Sequence, residues 1–353
     1  MMILKFFKFL TAGKTVKPNK LNMRPLLILF FILLFKLGIG AQDSTLTVKP
    51  RFFEPATKFN PLRFGIVSGG LVSGYTATSI YLASAWYSDY EQSRFHVFND
   101  WYGWRQHDKF GHLFTAYFES KWVGDLYKWS GVPNKKSRWI GFAGGMLFQT
   151  TVELMDGFSE AWGWSWGDIA FNTLGSAAYL GQELAWNEQR IVFKLSTHRP
   201  KYSTAPIQAL NSNETTTLKE RAGDLYGNSF AELFFKEYNG QTIWASANIA
   251  SFLPQKPKWL PAWLNVAVGY GIENVFGAER NKWFNENISV FEAPADVKRH
   301  SQLFVSLDVD FERIPTKSKA LKSVFKLLNI FKVPFPTVEF NTLGQTRFRP
   351  FYF

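Results

Sequence analysis

Three short clusters of ionisable residues lie beside or inside strongly apolar helical stretches, and they constrain the fold of this chain more than any other feature. The clusters are Asp108-Lys109-Phe110-Gly111-His112, Glu153-Leu154-Met155-Asp156 and Gly163-Trp164-Ser165-Trp166-Gly167-Asp168. Burying a charge in apolar surroundings costs free energy unless the charge is paired, hydrogen-bonded or bound to a metal. The pattern therefore predicts three helices whose polar residues converge on one centre.

The spacing within the clusters supports this prediction. Asp108 and His112 are four residues apart, and Glu153 and Asp156 are three apart, so each pair shares one face of a helix. Asp168 lies near the start of its helix, where its carboxylate also suits the positive end of the helix dipole. We expect three residues to support the cluster: Ser165, Asn172 and Gly175. Ser165 is expected to cap the helix, and Gly175 to let a neighbouring helix come close.

The residues leave three interpretations of the cluster open. In the first, Lys109 and His112 pair with carboxylates in a buried network that fixes the order of the helices. In the second, the cluster binds a divalent metal such as Zn, Mn or Fe, with the candidate ligands His112, Glu153, Asp156 and Asp168. In the third, it performs acid–base catalysis on an envelope lipid or glycan, with His112 or Glu153 as the base. The candidate catalytic residues are then Asp108, Lys109, His112, Glu153, Asp156 and Asp168.

The fold class that the sequence predicts is α+β. Residues 64–88 are uncharged and rich in small residues, which suits either a bilayer-spanning helix or a tightly packed central helix. Further helices are expected over about 108–128, 137–155 and 167–187. Together with residues 64–88, these helices would form an N-terminal four-helix apolar bundle.

An antiparallel β-sheet is expected to follow, and a barrel-like form of it is left open. Apolar residues alternate with small or polar ones over 264–273 and 303–312, as in strands with one apolar face. Asn239-Gly240 predicts a hairpin turn between strands at 232–238 and 241–250.

The start of the chain resembles an export signal. Met23-Arg24 precedes the apolar run 26–35, and a small-residue exit suggests cleavage after Ala41, so residues 1–41 are interpreted as a signal peptide whose true start is Met23. The domain organisation predicted from this point is a linker (42–63), a helical domain (64–195), a connector (196–228) and an antiparallel β region (229–353).

Composition narrows the classes of partner. The chain carries a net charge of +12, but residues 1–41 hold seven basic residues and no acid, so the mature chain carries +5. A nucleic-acid partner is therefore not expected, since it requires a concentrated basic surface. The absence of Cys excludes disulfides, catalytic thiols and a lipid-modified N-terminal cysteine.

Membrane lipid is the partner that the sequence favours, and other envelope proteins are further possible partners. Over residues 317–330, lysines interleave with apolar residues so that a helix would carry one basic and one apolar face. The lysines expected at a membrane interface are Lys317, Lys319, Lys322 and Lys326. The alternative is a short helix that covers the core of the sheet and keeps its lysines in water.

From about Arg105 to Gln182 the chain resembles the YfiM-like predicted periplasmic lipoproteins, a family of unknown function. The resemblance depends on Asp108-Lys109-x-x-His112, Glu153-x-x-Asp156 and Gly163-Trp164-Ser165-Trp166-x-Asp168 followed by Gly175. The Asp108-Lys109-x-x-His112 start and an Asp168…Asn172-x-x-Gly175 finish are also similar to VanZ-like membrane proteins. The resemblance implies a location in the cell envelope and inward-turned polar residues. We expect the exported chain in or against the outer membrane or the periplasmic face of the envelope. The resemblance implies no reaction, so the function expected is structural or scaffolding, with a hydrolase or transferase as the alternative.

Overall fold

The computed structural model describes residues 52–85, 91–228 and 230–352. The predicted signal peptide and residues 42–51 of the predicted linker lie outside these residues. The described α-helices are α1 Pro61–Ala85, α2 His107–Trp129, α3 Asn134–Gly157, α4 Trp166–Ala185, α5 Leu218–Tyr226, α6 Phe230–Lys236 and α7 Lys319–Leu328. The strands are β1 Ile191–Thr197, β2 Ile207–Gln208, β3 Thr215–Thr216, β4 Gln241–Asn248, β5 Leu264–Glu273, β6 Lys282–Phe284, β7 Val290–Glu292, β8 His300–Val309, β9 Phe335–Asn341 and β10 Thr346–Tyr352.

Helices α2, α3 and α4 pack closely against one another, and glycines make this approach possible. A Cβ atom at Gly175 on α4 would lie 2.1 Å from the carbonyl oxygen of Leu113 on α2. A Cβ at Gly145 on α3 would lie 2.1 Å from Ser120 Oγ. No side chain fits at either contact, so these glycines set the distance between the helices.

The predicted four-helix apolar bundle is not confirmed in that form. Helix α1 buries Val67 and Tyr75 against the other helices, but Leu62, Ile66 and Ile80 on the same helix are exposed. The space between α2, α3 and α4 is also not apolar, since it encloses buried polar side chains: Ser120, Gln149, Glu153, Asn172 and Ser176. Small residues all around α1 gave its sequence no distinct apolar face. None of the helices in the described ranges combines the length and hydropathy needed to cross a bilayer.

Six strands form one antiparallel sheet in the order β1-β4-β5-β8-β9-β10. This sheet has β1 and β10 as its two edges, so in the described residues it is open. One predicted strand is wrong: the segment before Asn239-Gly240 is helix α6, and β4 follows it without a hairpin partner there. The 196–228 segment contains the short β2–β3 pair and α5, whose first turn is closed by a reciprocal capping box between Thr217 and Glu220.

The main apolar core lies between α2 and α4 on one side and β1 and β4 on the other. Phe193 of β1 packs edge-on against Tyr117 of α2, with ring centroids 5.1 Å apart. The fully buried members of this core are Phe114, Tyr117, Phe118, Tyr179, Leu180, Val192, Leu195 and Ile243. This core joins the helices to the β1–β4 edge of the sheet. It therefore fixes the position of the ionisable clusters on α2, α3 and α4 relative to the sheet.

Farther along the sheet, the polarity of the two faces is opposite to that of an ordinary water-facing sheet. On β8 the apolar Leu303, Val305 and Leu307 are 47%, 40% and 42% exposed, whereas the residues that alternate with them are buried: Gln302, Phe304, Ser306 and Asp308. On β5 the apolar Val266 and Val268 are exposed while Asn265 is buried. The sequence predicted one apolar face for these strands, and that face is turned outward.

The buried face of the sheet combines an apolar cluster of Trp244, Ala267, Phe304 and Tyr352 with polar side chains that satisfy one another. Lys194 on β1 and Asp308 on β8 form an ion pair of 2.8 Å. Ser246 Oγ donates a hydrogen bond to Asp308 Oδ2. On the far strands, Arg349 Nη2 lies 2.5 Å from Glu339 Oε2. Because these polar groups have partners, the sheet tolerates a polar interior.

Helix α7 lies beside the sheet and has an exposed apolar side. Ser318 caps its N-terminus, and Phe325 packs against Phe311. Lys326 reaches back to α2, where its Nζ lies 3.3 Å from Asp125 Oδ2. The apolar residues on its exposed side are Leu321, Val324, Leu327 and Leu328.

Candidate functional site

The first predicted motif begins directly after a turn with unusual backbone geometry. Trp104, Arg105 and Gln106 all have positive φ angles, of 49°, 50° and 65°. Helix α2 starts at the next residue, His107, whose ring is buried and packs against Tyr238. Burial lowers the pKa of His107 to about 4, despite a hydrogen bond to Gln241. His107 is therefore neutral and belongs to the packing around the site.

Lys109 is the central cation of the cluster. Its side chain is 2% exposed, and its Nζ lies 2.5 Å from Asp100 Oδ2 and 2.7 Å from Asp168 Oδ1. Burial lowers the pKa of Lys109, but the surrounding carboxylates, including Asp108, more than offset this, so the pKa is raised. A charged Lys109 thus ties the segment before α2 to the first turn of α4.

Asp100 is a member of the cluster that the sequence did not reveal. It lies seven residues before α2, in a segment without periodicity, and its Oδ1 accepts a 2.6 Å hydrogen bond from Ser165 Oγ. Burial raises its pKa, yet hydrogen bonds from Lys109 and Ser165 outweigh burial, so the pKa is lowered. The only feature of the sequence that points to Asp100 is its position, since it is a lone carboxylate among the aromatic residues that precede the first motif.

Ser165 caps helix α4 and also connects two carboxylates of the cluster. Its Oγ accepts a 3.1 Å hydrogen bond from the backbone N–H of Asp168, while its own backbone N–H donates to Glu153 Oε2 at 3.3 Å. Burial raises the pKa of Asp168 to about 6, against the opposing charges of His112 and Lys109. The cap thereby brings α3 and α4 together at the cluster.

His112 faces three carboxylates. Its Nε2 lies 3.7 Å from Asp168 Oδ1 and 4.0 Å from Asp108 Oδ1, and its Nδ1 lies 3.6 Å from Glu153 Oε1. Nδ1 is also 3.1 Å from Asn172 Oδ1. Burial alone would lower the pKa of His112, but the carboxylates raise it to about 9. His112 is therefore an imidazolium at neutral pH, and its Nδ1–H donates to Asn172.

Glu153 shows the opposite balance. Its side chain is 1% exposed, and burial raises its pKa to about 8 even though His112 acts to lower it. Its Oε1 and Asn172 Nδ2 are buried without a hydrogen-bond partner among the described residues. Glu153 thus holds a proton at neutral pH. Its Oε1 and the nearby Asn172 Nδ2 are free to hydrogen-bond to a further ligand.

Polar contacts extend the cluster on both sides. Tyr238, which follows α6, donates a 2.8 Å hydrogen bond to Asp108 Oδ1 and so links the cluster to the sheet region. On the other side, Gln149 Nε2 donates to Glu119 Oε2 at 2.8 Å, and burial raises the pKa of Glu119 to about 8. Neither Tyr238 nor Glu119 belongs to a predicted motif, so sequence spacing could not identify them.

The structure brings most of the predicted site residues together. Asp156 is the exception, because it is less buried than Glu153 and acts on it through charge, raising its pKa. Within the described residues, the atoms of Asp108, His112 and Asp168 lie within 4.8 Å of one another, as metal ligands would. This set differs from the predicted one by including Asp108 and omitting Glu153 and Asp156. The Lys109 ammonium already contacts Asp168, so a metal would compete with a resident cation.

Residues 101–182 match the family model of a predicted periplasmic lipoprotein (DUF2279). The match spans α2, α3 and α4 and includes every predicted cluster residue, but leaves out Asp100 and Tyr238. It supports an exported, envelope-associated protein of unknown activity. Neither the curated proteins nor the solved structures contain a significant match. The YfiM-like and VanZ-like resemblances stay predictions.

Proposed function

We propose that this protein is a non-enzymatic envelope component that lies against membrane lipid, with the outer membrane as its site. The observation that carries the proposal is the outward-facing apolar side of strands β5 and β8. Contiguous exposed apolar surface is unfavourable in water and marks a surface that contacts lipid or a partner. Buried polar side chains behind exposed apolar ones are the arrangement expected where the surroundings are apolar.

Helix α7 supports lipid as the partner. Its exposed apolar residues, Leu321 and Val324 among them, are flanked by Lys319 and Lys322. Such a helix can lie in the interface with its apolar side in the acyl region and its lysines near anionic headgroups. Lys326 contributes less, since it contacts Asp125.

The ion-pair cluster fits a structural role in such a protein. Lys109 is in contact with two carboxylates, and His112 lies near the carboxylates of Asp108 and Asp168, so the buried charges compensate one another. The contacts connect α2, α3, α4 and Tyr238 beside the sheet. Removing one partner from such a network leaves an uncompensated buried charge, which makes the network a strong determinant of helix order.

Flotation with lipid vesicles tests this proposal. The full chain is mixed with phosphatidylethanolamine–phosphatidylglycerol vesicles and centrifuged through a density gradient, together with the variants Val305→Asp and Leu210→Asp. Val305 lies on the outward apolar face, whereas Leu210 is an exposed apolar residue near the short β2–β3 pair. We expect the native chain and Leu210→Asp to float and Val305→Asp to remain at the bottom. Equal flotation of both variants, or none of the native chain, would refute the proposal.

A second candidate function is acid–base or metal-assisted hydrolysis or transfer on an envelope lipid or glycan. Two observations favour it. Glu153 Oε1 and Asn172 Nδ2 are buried without a hydrogen-bond partner among the described residues, and the pKa values of Glu153 and Asp168 lie near neutrality. Elemental analysis of the native chain and His112→Ala separates the candidates. Near-stoichiometric metal that is lost in the variant supports the enzyme, whereas a metal-free native chain and a destabilised variant support the scaffold.

A further inference from the structure

A cavity of about 280 Å³ lies where the start of α2 meets the outer ends of strands β5 and β8. It is separate from the ion-pair cluster. The residues that line it are Tyr102, Arg105, Gln106, Tyr270, Glu279, Arg299 and Ser301. Two of them are arginines, and three others carry hydroxyl groups. The lining is therefore rich in hydrogen-bond donors.

Arg105 is held in place by neutral groups. Its Nε donates a 2.8 Å hydrogen bond to Ser301 Oγ, and its Nη2 donates to Thr342 Oγ1 at 3.3 Å. Hydroxyl groups fix the direction of the guanidinium without neutralising its charge. No carboxylate in the described part of the chain lies within 4.0 Å of it. The arginine is thus oriented but uncompensated.

Arg299 shows the same condition. Its Nη2 donates a 2.7 Å hydrogen bond to the carbonyl oxygen of Ala278, while its Nη1 is buried with no hydrogen-bond partner among the described residues. Burial and the nearby charge of Arg105 lower the pKa of Arg299. A buried guanidinium nitrogen without an acceptor is costly, so the charge of Arg299 is incompletely compensated within the chain.

The backbone that carries Arg105 is also fixed. Arg105 lies in the middle of the three-residue segment with positive φ angles, a conformation that non-glycine residues adopt only at a cost in free energy. The hydroxyl of Tyr270 donates a hydrogen bond to the Arg105 carbonyl oxygen and contacts Ser301 Oγ at 2.9 Å. These contacts hold Arg105 against the end of the sheet where Arg299 directly precedes β8.

We propose that Arg105 and Arg299 bind a phosphate group in this cavity. Planar guanidinium groups donate paired hydrogen bonds to phosphate oxygens, and two of them suit a tetrahedral oxyanion. Glu279, whose side chain is exposed at the rim, reduces the net charge of the lining to +1. That charge suits the singly charged phosphate diester of a lipid headgroup or the monoanion of free phosphate. The site is independent of the proposed lipid contact of the sheet.

Calorimetric titration of the full chain in a neutral maltoside detergent tests the site with two probes, inorganic phosphate and dihexanoyl phosphatidylglycerol. The variants are Arg105→Gln and Arg299→Gln, and the control is Arg280→Gln, which removes the same charge from an exposed position nearby. We expect roughly tenfold weaker binding in each site variant, because each loses charge-assisted hydrogen bonds to the phosphate. The control is expected to bind as the native chain does.

The pattern of affinities identifies the source of the phosphate. Tighter binding of the phosphatidylglycerol indicates a lipid headgroup, and tighter binding of inorganic phosphate indicates a free anion. Binding of neither probe, or equal weakening by Arg280→Gln and Arg299→Gln, overturns the proposal. If Arg105→Gln does not fold by circular dichroism, Arg299→Lys decides the question, because it keeps the charge and is expected to bind between the native chain and Arg299→Gln. The flotation result does not depend on these outcomes.

Discussion

Lys194 and Asp308 form an ion pair of 2.8 Å although neither side chain is exposed to solvent. Their strands are not neighbours: β4 and β5 lie between β1 and β8 in the sheet. Lys194 Nζ also donates to the carbonyl oxygen of Val309, and Asp308 accepts from Ser246. The pair therefore bridges four strands through the buried face, which requires a sheet that is strongly curved around its polar side.

Breaking this pair is expected to destabilise the sheet strongly. Asp308→Ala leaves the Lys194 ammonium buried without its carboxylate, which we expect to cost about 3–5 kcal/mol of unfolding free energy. The double variant Lys194→Met/Asp308→Leu removes both charges and is expected to be more stable than Asp308→Ala. Denaturant unfolding followed by circular dichroism measures both. A double variant no more stable than Asp308→Ala would contradict the assigned role of the uncompensated charge.

Lys109→Met is expected to lower the unfolding free energy by a similar amount, about 3–5 kcal/mol, because it leaves Asp100 and Asp168 without their shared cation. The matched control is Lys258→Met at an exposed position, where a change within about 0.5 kcal/mol is expected. The two variants remove the same charge. A comparable loss in both would show that net charge, and not the cluster, sets the stability.

The stability of the fold is expected to fall as pH rises from neutral to 9. The folded pKa of His112 is about 9 against an ordinary value of 6.5, so its contribution is present below pH 6.5 and lost as pH rises through 9. Glu153, with a folded pKa of about 8 against 4.5, also binds its proton more tightly in the folded chain, which gives the same sign. Thermal unfolding across this range measures the slope. The variant His112→Gln/Glu153→Gln is expected to have a shallower slope, because Glu119, whose pKa is also raised to about 8, still contributes the rest. An unchanged slope would assign the pH dependence to other groups.

Gly175→Ala is expected to separate α2 from α4. Its new Cβ would lie 2.1 Å from the Leu113 carbonyl oxygen, so the helices must shift and the cluster contacts of Asp168 with them. On the same helix, Gly181 has no atom within 4 Å of its Cβ position. Gly181→Ala should therefore stabilise the chain by up to about 1 kcal/mol through helix propensity. Opposite effects on the melting temperature are the expected result, and equal ones would argue against the close approach.

Local sequence pattern was sufficient for the elements whose length and period are distinctive. The expected helices at 108–128, 137–155 and 167–187 lie within two or three residues of α2, α3 and α4, and the strand at 264–273 coincides with β5. The cluster could be predicted because its residues share helix faces at three- and four-residue spacing. Short segments were ambiguous: α6 has the apolar composition of a strand, and packing decided its conformation.

Long-range partners could not be predicted from pattern. Asp100 and Tyr238 join the cluster from segments without periodicity, and the contact between Tyr238 and Asp108 spans 130 residues of sequence. Which face of the sheet is buried could also not be predicted from the sequence. Alternation predicts that β8 has one apolar face, but the partners available to Asp308 and Gln302 determine that the polar face is the buried one.

The outward-facing strands also imply an order of assembly. The inner face buries Phe304 against Trp244 and Tyr352. On the outer face, pairing β5, β8 and β9 in water removes little apolar surface from solvent, because Val268, Leu303 and Phe340 stay exposed in the finished sheet. Hydrophobic burial, the main driving force of folding, is available instead to α2, α4, β1 and β4 around their shared core. We therefore expect the helices and the near strands to form a folding nucleus in the aqueous compartment. If the proposed lipid contact holds, the remaining strands would complete the sheet last, when their outer face leaves water, and export and membrane binding would be successive stages of one folding reaction.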